Sequence, residues 1–197
     1  MEKALIWFSW TAAAYLIGSI PFGYLIGRMR GVDVRTVGSK NIGATNVYRT
    51  VGKKWGALAF FCDFLKGFAP TCSSAAFAGP ETGLPVAVGL ACVIGHTLTV
   101  FMKFRGGKGV ATAFGMMVAL APAPTLIAFA VFAVTVWLSH YISLGSMLAA
   151  ATLAALVWVF PAGTPLRVVA AFIAAFVIFK HKSNIGRLVK GTENKIY

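Results

Sequence analysis

The stretch VATAFGMMVALAPAPTLIAFAVFAVTVWL, residues 110–138, decides how this chain is arranged. It is apolar almost throughout, with Pro122 and Pro124 near its middle. As a single helix it would be roughly 45 Å long, too much for a hydrocarbon core about 30 Å thick. As two arms turning at Ala121-Pro122-Ala123-Pro124 it crosses twice, and each arm is short. The choice sets the side of the membrane on which everything downstream lies.

Composition identifies the solvent. With 58% hydrophobic residues, the chain reads as an all-α integral membrane protein, which excludes a soluble domain. Working outward, Ala4 to Ile26 is a first span, Trp55 to Ala78 a second and Leu84 to Phe101 a third. Beyond the two arms lie Ile142 to Phe160 and Leu166 to Phe179, then a basic tail from Lys180 to Tyr197. Glu2 and Lys3 cancel near the N-terminus and no small-residue cleavage site follows, so the first span is not expected to be a cleaved signal. Counting two arms gives seven transmembrane helices, some short, with the N-terminus outside and the C-terminus cytoplasmic. Fifteen of the eighteen Lys and Arg then face the cytoplasm. A single long helix would put the five cations of the tail outside, against the positive-inside rule. Residues 1–197 read as one transmembrane domain without internal repeats.

Eighteen basic residues face five acidic ones, so the excess must meet anionic lipid heads, phosphate substrates or both. Nucleic acid is not an expected partner of so apolar a chain. Cys62, Cys72 and Cys92 all fall inside apolar segments, which argues against disulfides or a metal site. No cofactor is implied.

Between the third span and residue 110 runs Lys103-Phe104-Arg105-Gly106-Gly107-Lys108-Gly109, three cations and three glycines in seven residues. Glycine lets backbone N–H groups approach an oxygen-rich ligand and reach the φ > 0 conformations of an anion nest. Lys108 then opens a helix whose N-terminus favours negative charge. The plainer reading is a positive-inside loop with flexible glycines. A nucleotide-binding P-loop is excluded, because Gly109 stands where that motif needs Ser or Thr and no strand precedes it.

A second stretch of this character weighs against the plain reading. Gly38-Ser39-Lys40-Asn41-Ile42-Gly43-Ala44-Thr45-Asn46-Val47-Tyr48-Arg49 offers hydroxyl and amide donors closed by an arginine. Arg49 can present a planar bidentate fork to phosphate, with Ser39, Thr45 and Asn46 adding neutral hydrogen bonds. A third stretch, Tyr141 to Ser146, enters a span, and there Ser143 reads as a helix cap. A fourth, His181 to Glu193, would put His181 and Asn184 on one helical face above Leu188. Asp63 and Lys66, i and i+3 inside the second span, either satisfy each other or help shape a site. His96 reads as a polar tie between helices.

Taken together, these residues resemble the acyl-phosphate-dependent glycerol-3-phosphate acyltransferases of bacterial inner membranes. The resemblance runs from Gly18-Ser19-Ile20-Pro21-Phe22-Gly23 to the tail. It is most specific in Gly38 to Arg49, Lys103 to Thr112 and His181 to Glu193, with support from Asp63-x-x-Lys66-Gly67. One departure is Thr99, where members often carry proline. The resemblance implies seven spans with cytoplasmic active-site loops in the bacterial inner membrane. It also implies transfer of a fatty acyl group from acyl phosphate to the 1-hydroxyl of sn-glycerol 3-phosphate, giving lysophosphatidic acid and phosphate for phospholipid synthesis.

Its functional residues carry onto Ser39, Asn41, Thr45, Asn46 and Arg49; Gly106, Gly107 and Lys108; Ser146; and His181, Asn184 and Glu193. Of these, Arg49, Lys108, Ser146, His181 and Asn184 are expected to be catalytic and the remainder to bind substrate. Glu193 is expected to organise the tail through a basic partner. The His-x-x-x-x-Asp pair of acyl-CoA-dependent acyltransferases is absent, since Phe101, Gly145 and Gly186 occupy its second position. An organic-phosphate transporter would also explain the cations, but it calls for inverted repeats and a midplane site. Oligomeric state is open.

Overall fold

The computed structural model describes residues 1–196, apart from the side chain of Glu81; Tyr197, the last residue of the basic tail, lies outside the described residues. Among them are ten α-helices, two 3-10 turns and no strand. The helices gather into two compact units, Met1–Leu120 and Ala121–Tyr197.

The first unit holds α1 (Glu2–Ser19), α2 (Phe22–Met29), α3 (Ala44–Thr50), α4 (Lys53–Ala78), α5 (Leu84–Thr97) and α6 (Val110–Leu120). The first span, read from Ala4 to Ile26, is thus two helices in succession, and Glu2–Met29 together is long and apolar enough to cross a membrane. Pro21 has no N–H and pushes the residue before it out of the helical region, and Ile20 takes up φ −59°, ψ 116°. α1 packs on α5, and α4 packs on both α5 and α6. Glycine permits these close approaches: a Cβ at Gly18 would overlap the carbonyl of Cys92, and one at Gly67 the carbonyl of Thr112. A small core of Ile26, Val34, Ile42, Val47 and Ala59 seats the segment around α3 against α2 and α4.

Within the third span the regular α-helix ends before the apolar run does. α5 stops at Thr97, and a 3-10 turn over Val100–Met102 follows. Thr99, where proline was the commoner residue in the resemblance, donates its hydroxyl to the Ser19 carbonyl at 2.6 Å. That bond ties the end of α1 to the segment after α5.

The chain breaks where the prolines stand, since α6 ends at Leu120 and a new helix begins at Pro122. Only one of the two arms is short. α6 has 11 residues, about 16 Å, whereas α7 (Pro122–Ser139) has 18 and is long enough to cross a membrane. Pro122 and Pro124 lie in the first turn of α7, where a missing N–H breaks no helical bond, so they start the helix without shortening it.

The second unit adds α8 (Ile142–Val159), α9 (Thr164–Lys180) and α10 (Lys182–Val189), with α8 packed on both α7 and α9. α10 bends 56° away from α9. Glu2–Met29, Leu84–Met102, Pro122–Ser139 and Ile142–Val159 are each long and apolar enough to cross a membrane, and the bent α9–α10 pair would be a fifth. The chain is a multi-pass membrane protein.

Candidate active site

In the first unit, the segment before α3 is organised by one buried amide. Asn46, on α3, accepts the Ser39 N–H at 2.9 Å and donates to the carbonyls of Val34 at 2.8 Å and Val37 at 3.2 Å. Its side chain is 1% exposed, so its hydrogen-bonding capacity is spent on the loop backbone. Gly38 has φ +57°, and a Cβ there would overlap the Asn46 oxygen, so only glycine fits the turn. Asn41 closes the next turn by accepting the Gly43 N–H at 2.8 Å. Ser39 and Lys40 are left exposed at the tip, while Thr45 and Arg49 sit half-buried four residues apart on α3, hence on one face. Beside them, Arg35 pairs with Asp33 at 2.6 Å. Its guanidinium, donating to the carboxylate, holds Asp33 at about 2.

The glycine loop is built differently from an anion nest. The Gly106 N–H donates to the Thr97 carbonyl and the Gly107 N–H to that of His96, each at 3.1 Å, so both are zipped to the last turn of α5. Positive φ falls instead on Lys103 (52°), Phe104 (60°) and Gly109 (81°). Gly106 and Gly107 are therefore needed for close approach: a Cβ at the first would overlap the His96 carbonyl, and one at the second the His96 ring at Nε2. Lys103 and Arg105 are exposed, and Lys108 is half-buried just ahead of α6. The N–H groups of the first turn of α6 have no carbonyl ahead of them within that helix, and Lys108 stands beside this positive end.

Beneath this loop lies a buried polar cluster absent from the residues expected to act. Lys66 Nζ is 2.8 Å from Asp63 Oδ1 and also donates to the Ile20 carbonyl, exposed by the α1–α2 break, at 2.9 Å. His96 Nδ1 lies 3.5 Å from the same Asp63 oxygen, and all three side chains are 5% exposed or less. Sequence reasoning treated His96 as a tie between helices. The one signal that could have placed it was its position at the end of the third apolar run, ten residues before the first glycine of the loop.

In the second unit, Glu193 gathers three side chains from two helices. Its Oε1 accepts from Ser143 at 2.9 Å and Asn184 at 2.6 Å, and its Oε2 accepts from Arg187 Nε at 2.6 Å. Burial alone would raise the Glu193 carboxyl, but these donors outweigh it and hold it below the ordinary carboxylate range. Ser143 is thus a partner of the tail, and α8 carries no side-chain cap at Tyr141. Ser143 and Arg187 were not among the expected site residues, although Arg187 is the nearest preceding arginine to the only acid in the tail. The tail then returns to the α7–α8 corner, where the Ile196 N–H donates to the His140 carbonyl at 2.9 Å.

His181 is 3% exposed, and its Nδ1 lies 2.7 Å from the Val177 carbonyl. A carbonyl only accepts, so Nδ1 carries a proton and donates it to Val177. Ser146 donates its hydroxyl to the Ile142 carbonyl at 2.9 Å, one turn back along α8.

A loop rich in hydroxyls and amides, a loop of cations and glycines, and a His181–Arg187 segment held by the Glu193 carboxylate are set on a multi-pass helical frame. Residues 8–191 match the family model for glycerol-3-phosphate acyltransferase. The chain belongs to that family. It is 50% identical over 186 residues to the glycerol-3-phosphate acyltransferase of Trichlorobacter lovleyi, covering 94% of this chain and 95% of that one. A crystal structure of PlsY, an integral membrane glycerol 3-phosphate acyltransferase, in its glycerol 3-phosphate form is 41% identical with a TM-score of 0.93, covering 96% of this chain and 94% of that chain. Its lysophosphatidic acid form is 40% identical with a TM-score of 0.89 at the same coverage. In this member of the glycerol-3-phosphate acyltransferase family, both loops and His181 to Arg187 fall within the matched range, and Glu193 lies just past it.

Proposed function

We propose that this chain transfers a fatty acyl group from acyl phosphate to the 1-hydroxyl of sn-glycerol 3-phosphate, without an acyl-enzyme. The hydroxyl oxygen attacks the acyl carbonyl carbon, the bond from that carbon to the phosphate oxygen breaks, and lysophosphatidic acid and inorganic phosphate leave. An acyl phosphate is a mixed anhydride with a good leaving group. The enzyme's work is therefore to orient two phosphorylated substrates and to hold the charge moving onto phosphate. Ser39, Thr45 and the glycine loop with Lys108 grip the acyl phosphate; Arg49, Ser146, His181 and Asn184 hold glycerol 3-phosphate. Asn41, Asn46 and Glu193 serve binding by shaping the loops that carry these groups. Residues 1–197 act as one transmembrane domain in the bacterial inner membrane, with seven passes, the N-terminus outside and the loops facing the cytoplasm.

The observation that carries direct transfer is the state of Ser146 and His181. An acylated serine needs its hydroxyl on a base that is itself oriented, commonly by a carboxylate. Here the Ser146 hydroxyl is turned to Ile142, Nδ1 of His181 meets the Val177 carbonyl, and Glu193 is spent on Ser143, Asn184 and Arg187. The acceptor's own phosphate, delivered beside the reacting hydroxyl, is the base that takes its proton. Incubating the purified enzyme with labelled palmitoyl phosphate alone, then denaturing it, should leave no label on protein. Label on Ser146 with ping-pong kinetics would refute direct transfer, and comparable turnover with palmitoyl-CoA would refute the donor. Single cysteines at Lys40, Arg105 and Lys190 should react only from the cytoplasmic side, and external labelling at position 190 would break the seven-pass count.

A further inference from the structure

We propose that His96, held by the buried Asp63–Lys66 pair, is a positioning residue for the reaction: its ring is the platform on which Gly107 seats, and so sets where Lys108 stands. This rests on the reading that the glycine loop grips acyl phosphate.

Three observations meet at this residue. The first is that His96 supports the loop twice over, since its carbonyl accepts the Gly107 N–H at 3.1 Å and its ring fills the space a Cβ at Gly107 would need. No ordinary side chain at 107 could approach so closely. The second is that the ring is not packed among apolar groups alone; its other nitrogen, Nδ1, lies 3.5 Å from Asp63 Oδ1. A buried carboxylate is costly unless it is paired, and Lys66 at 2.8 Å supplies that pairing while anchoring to the Ile20 carbonyl at 2.9 Å. The third is where these anchors lie. Ile20 is the break between α1 and α2, Asp63 and Lys66 are on α4, and His96 is in the last turn of α5. One polar cluster thus joins three helices one residue-layer below the loop, and a shift in any of them reaches Gly107 through the ring.

A bland polar tie would satisfy buried groups anywhere along these helices. This one has its exit nitrogen against the backbone of the substrate-gripping loop, next to Lys108. Misplacing a binding group by about 1 Å costs on the order of a hundredfold in rate. His96→Ala should accordingly lower kcat by about thirtyfold and raise KM for palmitoyl phosphate by about tenfold, with KM for glycerol 3-phosphate within about twofold.

The deciding experiment is a double-mutant cycle. In the wild-type background Gly107→Ala should cost about fiftyfold in kcat/KM, because its methyl meets the ring. In the His96→Ala background the same methyl should cost less than about threefold, because the ring has gone. Equal costs in the two backgrounds, or His96→Ala within about twofold of wild type in every constant, would overturn the proposal. Should His96→Ala fail to fold, the Asp63→Asn, Lys66→Met double variant removes the bracket without emptying the core. Its amide hydrogen exchange over residues 103–109 should then be faster than wild type, while residues 181–189 are unchanged. Unchanged exchange at the loop would overturn the proposal equally. An inactive wild-type enzyme with palmitoyl phosphate would instead strike the donor assignment and leave the exchange readout standing.

Discussion

The two candidate regions are stabilised in opposite ways. The glycine loop of the first unit is held by main chain: Gly106 and Gly107 donate to the carbonyls that end α5, and the missing side chains at those positions let the backbones meet. The His181–Glu193 segment of the second unit is held by side chains, with one carboxylate accepting from Ser143, Asn184 and Arg187. A backbone-held loop tolerates no added atoms, whereas a carboxylate-held segment tolerates no lost charge. The first kind draws its support from backbone N–H groups. The second spends Arg187 on structure.

That contrast can be broken at several points. The largest effect is expected from adding a single methyl. Gly106→Ala collides with the His96 carbonyl and should cut acyl transfer by about a thousandfold, measured as phosphate release, in protein that remains helical by circular dichroism. A loss below tenfold would mean that the loop can shift without cost.

Next come the cations. Lys108→Ala and Arg49→Ala should each lose about a hundredfold, as expected for charges placed against a substrate phosphate. Arg49→Lys should fail nearly as badly, because an ammonium cannot reproduce the bidentate fork. Near-normal turnover in Arg49→Lys would reduce that residue to a point charge.

In the second unit, Glu193→Gln keeps the shape and removes the charge that Arg187 meets at 2.6 Å. About tenfold loss in kcat/KM for glycerol 3-phosphate is expected, smaller than the glycine effect because the backbone of α10 persists. A Gly106-sized loss would show that both regions depend on one kind of support.

A smaller effect is written in pH. The Glu193 carboxyl is held below its ordinary value, so its contribution to stability is complete above the unfolded value of about 4.3 and is lost as pH falls through the lower folded one. The melting temperatures of wild type and Glu193→Gln should therefore stay apart between about pH 5 and pH 8 and converge only in stronger acid. Convergence near neutrality would contradict the network. The smallest effect belongs to Asp33, whose partner Arg35 is exposed: Asp33→Asn should leave turnover within about twofold, in keeping with an exposed ion pair.

Much of this was legible in the chain itself. The apolar runs follow from the bilayer, which admits helices and penalises charge, so composition and length mark a multi-pass helical chain. The break before Pro122 follows from an imide with no N–H. The motif stretches were also visible, because phosphate chemistry needs cations, hydroxyls and close backbone, and those residue types cluster in sequence. The i, i+3 spacing of Asp63 and Lys66 offered their pairing as one of two readings, and the structure shows the pair.

Other features needed the tertiary structure, because each depends on atoms far apart in the chain. The α1–α2 break needed only Pro21, but the use of its Ile20 carbonyl needed Lys66, 46 residues on. Glycines at 106 and 107 look equally suited to a nest or to tight packing, and only the position of the α5 terminus chose packing. Ser143 reads locally as a cap, yet a carboxylate 50 residues away claims its hydroxyl. His96 and Gly107 are eleven residues apart in a loop whose sequence carries no period to relate them. Residue type and spacing set which helices this protein has and which polar groups it carries; long-range contacts, which no local pattern encodes, set which of those groups are consumed in holding the others still.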